Sequence, residues 1–136
     1  MSAPTRATIA GRAYLDLRKL ARENQRPVDE LLQLYVLEAF LARLTGSRFA
    51  DQLVLKGGVL LAAFDERRPT RDIDLQGQAV ENDIQAVRAT ACEIAATVLD
   101  DGVVKDHRNS SELLMRIPHL VVCATCGVSG FFEAVA

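Results

Sequence analysis

The stretch from residue 53 to residue 75 constrains this chain more than any other part of the sequence. It reads as a short apolar segment, then Lys56-Gly57-Gly58, then thirteen residues, then Asp72-Ile73-Asp74. An apolar run that stops at a glycine pair predicts a buried strand followed by a tight turn into a helix. The alternating acids predict a second strand that presents two carboxylates together. The sequence therefore indicates strands and helices arranged around one polar site.

Asp72 and Asp74 are the candidate metal ligands. Residues two apart on a strand point to the same side, so both carboxylates would share a face while Ile73 enters the core. Paired hard oxygen ligands suit Mg²⁺ when substrate phosphates complete its coordination shell. The backbone at Gly57 and Gly58 can approach such phosphates closely, at a helix N-terminus that favours anions. The alternative, two solvated acids on an edge strand, stays open, although like charges on one strand face repel each other.

Length and composition fit one domain with an ordinary core. The chain has 136 residues, of which 49% are hydrophobic and 25% are charged, and its formal charge is −2. That balance excludes a global basic field, but Arg67, Arg68 and Arg71 form a local basic cluster. Contact with phosphate or RNA and a solvated loop are both open for this cluster. No apolar run reaches the roughly 18 residues of a membrane span, and the N-terminus has no signal-peptide pattern, so we expect a cytoplasmic protein.

Hydrophobic periodicity predicts a pair of N-terminal helices followed by alternating strands and helices. Pro27 suits the first turn of a helix and separates the first two helices, and Gly46 ends the second. Apolar residues from Ile84 to Val98 recur on one face of a downstream helix. The predicted helices cover residues 12–23, 27–45, 59–64 and 82–99, and the predicted strands cover residues 53–55, 71–75, 103–105 and 113–117, with a turn at 107–111.

The three cysteines carry a weaker signal. Cys92 lies within a helical pattern and is predicted to be a core thiol. Cys123 and Cys126, with His119 upstream, have the spacing of half a zinc site, and two ordinary thiols are the alternative.

The last twenty residues, 117–136, are apolar and contain a single charged side chain, Glu133. They form either a final strand packed on the core or a tail outside the fold. We therefore assign residues 1–116 to one domain, with N-terminal helices at 11–45 and a core at 50–116, and residues 117–136 to an atypical apolar tail.

The glycine pair, the spacing and the acids together resemble the nucleotidyltransferase superfamily of polymerase-β type. More narrowly, Leu55-Lys56-Gly57-Gly58 followed by Arg-Pro-Thr-Arg-Asp-Ile-Asp-Leu at residues 68–75 is similar to the AbiEii abortive-infection toxins. The two N-terminal helices fit the same family, so the resemblance covers about residues 11–104. It implies an α/β (α+β) fold in which a small mixed sheet is flanked by helices, with a helical pair at the N-terminus.

The resemblance also implies an enzyme that uses Mg²⁺ and a nucleoside triphosphate to transfer a nucleotide to RNA. Members of the toxin branch modify tRNA 3′ ends, which blocks translation, and they are encoded with an antitoxin protein. Carried onto this sequence, Gly57 and Gly58 would cradle the triphosphate, while Asp72 and Asp74 would bind the metal and act as catalytic residues. The other members of the expected nucleotide-binding set are Lys56, Thr70 and Arg71.

Thr70 also suggests a point of control. It lies two residues before Asp72, so an extended strand would place both on one face. Phosphorylation of Thr70 would add a charge of about −2 beside the acids. We hypothesise that this modification switches off triphosphate binding, which a Thr70→Asp variant with unchanged nucleotide affinity would contradict.

The family pattern includes a third carboxylate on a later strand, for which this sequence has no residue in a matching context. Beyond Asp106 the acids are Glu112 and Glu133, and Asp106 itself is either a surrogate ligand or a surface turn acid. The chain looks like a member truncated at its C-terminus. The alternative function is therefore an inactive form that binds nucleotide or a protein partner without turnover. A DNA-binding helix-turn-helix around Pro27 is a weaker alternative, because the second helix has few basic residues.

Overall fold

The computed structural model describes residues 3–56, 74–78, 83–106, 114–117 and 120–122. These residues form three helices and five strands, so the predicted α+β class is confirmed. The helices are α1 (Ile9–Glu23), α2 (Val28–Thr45) and α3 (Ile84–Ala96). The strands are β1 (Leu53–Lys56), β2 (Asp74–Gly77), β3 (Val104–Asp106), β4 (Leu114–Ile117) and β5 (Leu120–Val122).

The two N-terminal helices are confirmed, and local capping sets where they begin. The Thr8 hydroxyl accepts a hydrogen bond from the Gly11 amide at 3.0 Å, so α1 begins at Ile9 instead of at residue 12. Pro27 has an extended backbone and immediately precedes α2. Proline lacks the N–H that a first helical turn leaves unpaired, which is why the break and the new helix occur together.

Helix α2 is the centre of the core. Eight of its residues are buried, which requires neighbours on several sides. Helices α1 and α3 and strands β4 and β5 all contact it. The helix ends at Thr45, directly before Gly46, as the sequence predicted. The buried apolar cluster built around α2 consists of Ala10, Leu32, Val36, Leu37, Ala39, Phe40, Leu44, Phe49, Leu53, Leu75, Ala91, Ile94, Ala95 and Val103.

Two antiparallel sheets are present among the described residues. Strands β1 and β2 form the first, and β3, β4 and β5 form the second in that order. Strand β3 begins and ends one residue later than the predicted range of 103–105, so Asp106 lies in a strand, opposite Leu114, and not in a turn. Strand β5 belongs to the apolar C-terminal segment, and it pairs with β4 through residues 120–122.

Helix α3 is shorter than the predicted range of residues 82–99. It begins at Ile84, where the Asp83 carboxylate accepts a hydrogen bond from the Ala86 amide at 3.0 Å. It ends at Ala96 because Thr97 turns into an extended conformation and its carbonyl accepts a hydrogen bond from the Arg43 side chain. The prediction that Val98 lies on the buried face is therefore wrong, since Val98 is 86% exposed.

Several sequence predictions fall on residues outside the described part of the chain. They are the helix at 59–64, the turn at 107–111, the cysteine pair Cys123 and Cys126, and most of the segment 117–136. Cys92 is a free thiol packed against the core, as predicted. None of the helices in the described residues is long and apolar enough to cross a membrane.

Candidate active site

The two-stranded β1–β2 sheet organises the candidate site. In an antiparallel pair, the C-terminal end of one strand and the N-terminal end of the other lie at the same end of the ladder. Lys56, the last residue of β1, is the Cα partner of Asp74, the first residue of β2. The sequence runs from Lys56 directly into Gly57, and Asp72 precedes Asp74 by two residues. Both halves of the sequence motif therefore attach to one end of this sheet.

Alternation along the strands gives the sheet an inner and an outer face. Leu53 is buried and Leu55 is partly buried against the core, while Val54 and Lys56 are exposed. The partner of Leu55 is Leu75, which is only 2% exposed. Paired residues of an antiparallel ladder occupy the same face, so the positions of Lys56 and Asp74 belong to the face opposite the core.

The described residues contain two of the predicted site residues. Lys56 is exposed at the end of β1, and the backbone of Asp74 begins β2. The others lie outside the described part of the chain, and these are Gly57, Gly58, Thr70, Arg71 and Asp72. The basic residues Arg67 and Arg68 lie outside it as well.

Backbone hydrogen bonds hold the β1–β2 sheet at its other end. The Gln78 amide donates to the Gln52 carbonyl at 2.7 Å, which extends the pairing past Gly77. The Leu53 amide donates to the carbonyl of Phe49 at 3.2 Å, and Phe49 is buried in the core. The inner face and this end of the sheet are thus fixed to the body of the protein, which leaves the end with Lys56 and Asp74 to present the motif.

An exposed ion pair ties the turn before β1 to helix α3. The Arg48 guanidinium donates two hydrogen bonds to the Glu93 carboxylate, each 2.8 Å long. These bonds lower the pKa of Glu93 below its ordinary value and raise the pKa of Arg48. The guanidinium also lies 4.6 Å from the centre of the Phe49 ring. Because both partners are solvated, this pair orients the turn but adds little to stability.

The donor chemistry at the candidate site fits a hard divalent cation. Carboxylate oxygens separated by one residue at a strand end are suitable for Mg²⁺ bound together with substrate phosphates. The backbone of Asp74 begins β2, and Asp72 lies outside the described residues. Among the described residues alone, no three His, Cys, Asp or Glu side chains converge on a common point.

A buried arginine, which sequence reasoning missed, fixes the segment between α3 and β3. The Arg43 side chain is fully buried, and its guanidinium forms an ion pair with Asp101, with Nη1 to Oδ2 at 2.6 Å and Nη2 to Oδ1 at 3.1 Å. The remaining hydrogen bonds go to backbone carbonyls of Ala39 (2.9 Å), Thr97 (2.8 Å) and Val103 (2.8 Å). The sequence spacing could have indicated that Arg43 is buried, because it lies four residues after Ala39 and seven after Val36 on the buried face of α2.

Asp101 is held from both of its sides. Its carboxylate accepts the Val103 amide at 2.9 Å, in addition to Arg43. Its backbone carbonyl accepts the Tyr35 hydroxyl at 2.7 Å. Burial, followed by the negative charges of Asp101 and Glu38, raises the pKa of Tyr35 above its ordinary value. The phenol therefore remains a hydrogen-bond donor at any physiological pH.

Comparison with known protein families gives a match over most of the chain. A family model described as "Nucleotidyl transferase AbiEii toxin, Type IV TA system" matches residues 39–127, which contain β1, β2 and all of the candidate site residues. No curated protein and no solved structure matches the chain.

Proposed function

This chain belongs to the AbiEii family of nucleotidyl transferase toxins of type IV toxin–antitoxin systems, and on that premise we propose that it transfers a nucleotide from a nucleoside triphosphate to RNA. The acceptor that we propose is the 3′ end of tRNA. Blocking that end would prevent aminoacylation and stop translation, which accounts for toxicity. An antitoxin encoded with the toxin would counteract it in the cytoplasm.

The observation that carries this proposal is the register of Lys56 with Asp74. The chemistry needs a triphosphate-binding turn and a pair of carboxylates within reach of the same phosphates. An antiparallel strand pair meets that need if the turn follows one strand and the acids begin the other. Lys56 ends β1 and is followed in the sequence by Gly57 and Gly58, while Asp74 begins β2 and Asp72 precedes it by two residues, which is the order that the proposal requires.

The roles that we propose follow from the chemistry of each side chain. Gly57 and Gly58 offer backbone N–H groups to the triphosphate, because they lack a Cβ that would keep it away. Asp72 and Asp74 would hold Mg²⁺, which, when bound, neutralises phosphate charge and orients the triphosphate. Lys56 and Arg71 would supply positive charge to the phosphates, and the hydroxyl of Thr70 would lie beside them.

The decisive experiment is transfer of label from each α-³²P nucleoside triphosphate to purified tRNA in the presence of Mg²⁺. We expect label on the tRNA with the parent protein and a loss of at least about 100-fold in Asp74→Asn, which keeps the shape but removes a metal-binding charge. The matched control is Asp51→Asn, because Asp51 is an exposed acid in the turn just before β1. That variant should transfer label like the parent.

The alternative is a protein that binds triphosphate without turnover. It predicts Mg²⁺-dependent triphosphate binding by calorimetry, weakened in Asp74→Asn, with no label on tRNA in any sample. That result would overturn the transferase proposal and retain the nucleotide site. Label transfer that is equal in the parent and in Asp74→Asn would overturn the assignment of the acids.

A further inference from the structure

The charge of this protein is distributed unevenly along the chain. Residues 1–26 contain six Lys or Arg residues and two Asp or Glu residues, which gives a formal charge of +4. Since the whole chain has a charge of −2, residues 27–136 carry −6. Such asymmetry between segments points to an anionic partner for the basic segment. That segment consists of α1 and its flanking residues.

The structure shows which side of α1 carries this charge. Ala10 and Ala21 are buried, and Tyr14 and Leu17 pack against the core from the same side of the helix. At 100° per residue, Arg12 and Lys19 point to the opposite side, which they share with Asp16 and Glu23, and Arg22 lies at the edge of that side. All three basic residues are exposed. Arg12 and Arg22 are ten residues apart, so the basic face extends for about 15 Å along the helix.

The positive charge on this face is mostly uncompensated. Within the described residues, neither Arg12 nor Arg22 forms an ion pair. Lys19 reaches Glu23 at 3.7 Å, but both side chains are more than half exposed, so solvent screens the pair.

Asp16, the other acid on the exposed side of α1, and Glu30 are each paired with an arginine outside the basic face. Asp16 pairs with Arg6 at 2.7 Å, and Glu30 pairs with Arg26. The field of Arg12, Lys19 and Arg22 is thus left available to an external anion.

We propose that Arg12, Lys19 and Arg22 form a face that binds the phosphate backbone of the acceptor RNA. This inference rests on the proposed function, because it assigns to that reaction the surface that holds its acceptor. Flexible, exposed cations along a helix suit a repeated phosphate charge, since they require no single geometry. The contacts would fix the RNA without reading its sequence.

The packing of the two helices disfavours other anionic partners. A helix that lies on a membrane needs a free apolar face, and the apolar face of α1 is covered by α2 and the rest of the core. A helix-turn-helix would need a basic recognition helix. In α2, all of whose residues are described, the one basic residue is Arg43, and it is buried in its pair with Asp101. The structure therefore disfavours the helix-turn-helix alternative that the sequence left open.

The test is binding of fluorescently labelled total tRNA, followed by anisotropy without any nucleoside triphosphate, at salt concentrations from about 50 to 200 mM. We expect Arg12→Gln and Arg22→Gln each to weaken binding roughly three- to tenfold at low salt and to reduce the salt slope by about 0.7 to 1. The matched control is Arg48→Gln, which removes one exposed cation from outside the basic face. Its affinity should remain within about twofold of the parent. Circular dichroism establishes that each variant is folded.

The outcomes separate this inference from the proposed function. If the parent binds tRNA through Arg12 and Arg22 but transfers no label, the transferase proposal fails and the binding face stands. If both α1 variants bind tRNA like the parent, or if Arg48→Gln weakens binding equally, the inference is overturned. Competition by poly-glutamate as strong as that by tRNA, at equal charge, would also overturn it and would indicate an acidic protein partner.

Discussion

Arg43 and Asp101 form a two-point ion pair across the core, although they belong to a helix and to a turn far apart in sequence. The guanidinium Nη1 lies 2.6 Å from Oδ2 and Nη2 lies 3.1 Å from Oδ1, with the arginine side chain fully buried. The same guanidinium binds the carbonyls of Thr97 and Val103. The pair therefore decides where α3 ends and where β3 begins.

Removal of Arg43 should be among the most damaging changes in this protein. In Arg43→Ala, the Asp101 carboxylate loses its charged partner and the carbonyls of Thr97 and Val103 lose a side-chain donor at a largely buried position, so we expect a loss of about 3–5 kcal/mol in the free energy of unfolding. Urea denaturation followed by circular dichroism measures it. Arg43→Lys keeps the charge but not the forked geometry, and it should restore only a small part of the stability.

The control for this prediction is the exposed pair of Arg48 and Glu93, which has similar two-point geometry. Arg48→Ala should leave the denaturation midpoint nearly unchanged, because both charges return to water. Equal effects of Arg43→Ala and Arg48→Ala would contradict the argument that burial sets the importance of the pair.

Gly102 should not tolerate a side chain. Its backbone has a left-handed conformation (φ 76°), and a Cβ added to it would lie 2.6 Å from the Cα of Ala10. The backbone penalty alone is about 1–2 kcal/mol, and the contact with α1 adds to it, so Gly102→Ala should clearly lower the melting temperature. Gly46→Ala is the matched control. Its added Cβ would come no closer than 3.9 Å to its neighbours, and its φ is −88°, so an equally large loss there would contradict this account.

The sequence predicts elements well where one periodicity dominates. The apolar helix α2 and the short strand β1 lie within a residue or two of their predicted positions, because burial of their side chains is encoded locally. The end of α3 was missed, because a hydrogen bond from Arg43, which is remote in sequence, sets it at Thr97. Local pattern treats an arginine as a surface residue and carries no information about such a partner.

In the candidate site, too, locally encoded features were predicted and long-range contacts were not. Residue types and spacing pointed to Gly57, Gly58, Asp72 and Asp74 as candidates, because the proposed chemistry needs a backbone without a Cβ beside the phosphates and a pair of carboxylates for the metal. The pairing of Lys56 with Asp74 was not readable from the sequence, because the order and register of strands depend on contacts made across a long connection. The basic face of α1 was also missed, since it emerges only when the buried side of the helix is known.

The raised pKa of Tyr35 predicts a loss of stability at alkaline pH. Burial is its first cause, and the negative charge of Asp101 is the second. The pKa of this tyrosine in the unfolded chain is near 10, and its pKa in the folded protein is higher. The stability that Tyr35 contributes is therefore fully present below the unfolded-state pKa, and it is lost as the pH rises from there through the folded-state pKa. We expect the free energy of unfolding to fall above about pH 10 in the parent.

Tyr35→Phe is the variant that isolates this effect. It removes the titrating group together with its hydrogen bond to Asp101, so it should be less stable at neutral pH but show a flatter decline above pH 10. Urea denaturation at several pH values measures both effects. An alkaline decline as steep as that of the parent would mean that another group is responsible.

The register of β1 with β2 predicts effects of very different size on the two faces of the sheet. Leu75 is 2% exposed and pairs with Leu55 on the inner face, so Leu75→Ala should cost about 2–5 kcal/mol of unfolding free energy. Val54 is 42% exposed on the outer face, and Val54→Ala should have a much smaller effect. Denaturant titration of both variants tests this directly. A shift of one residue in register would move every side chain of β2 to the other face. A tolerated Leu75→Ala together with a damaging Val54→Ala would therefore contradict the pairing of Lys56 with Asp74. The candidate site would then lose the observation on which it is based.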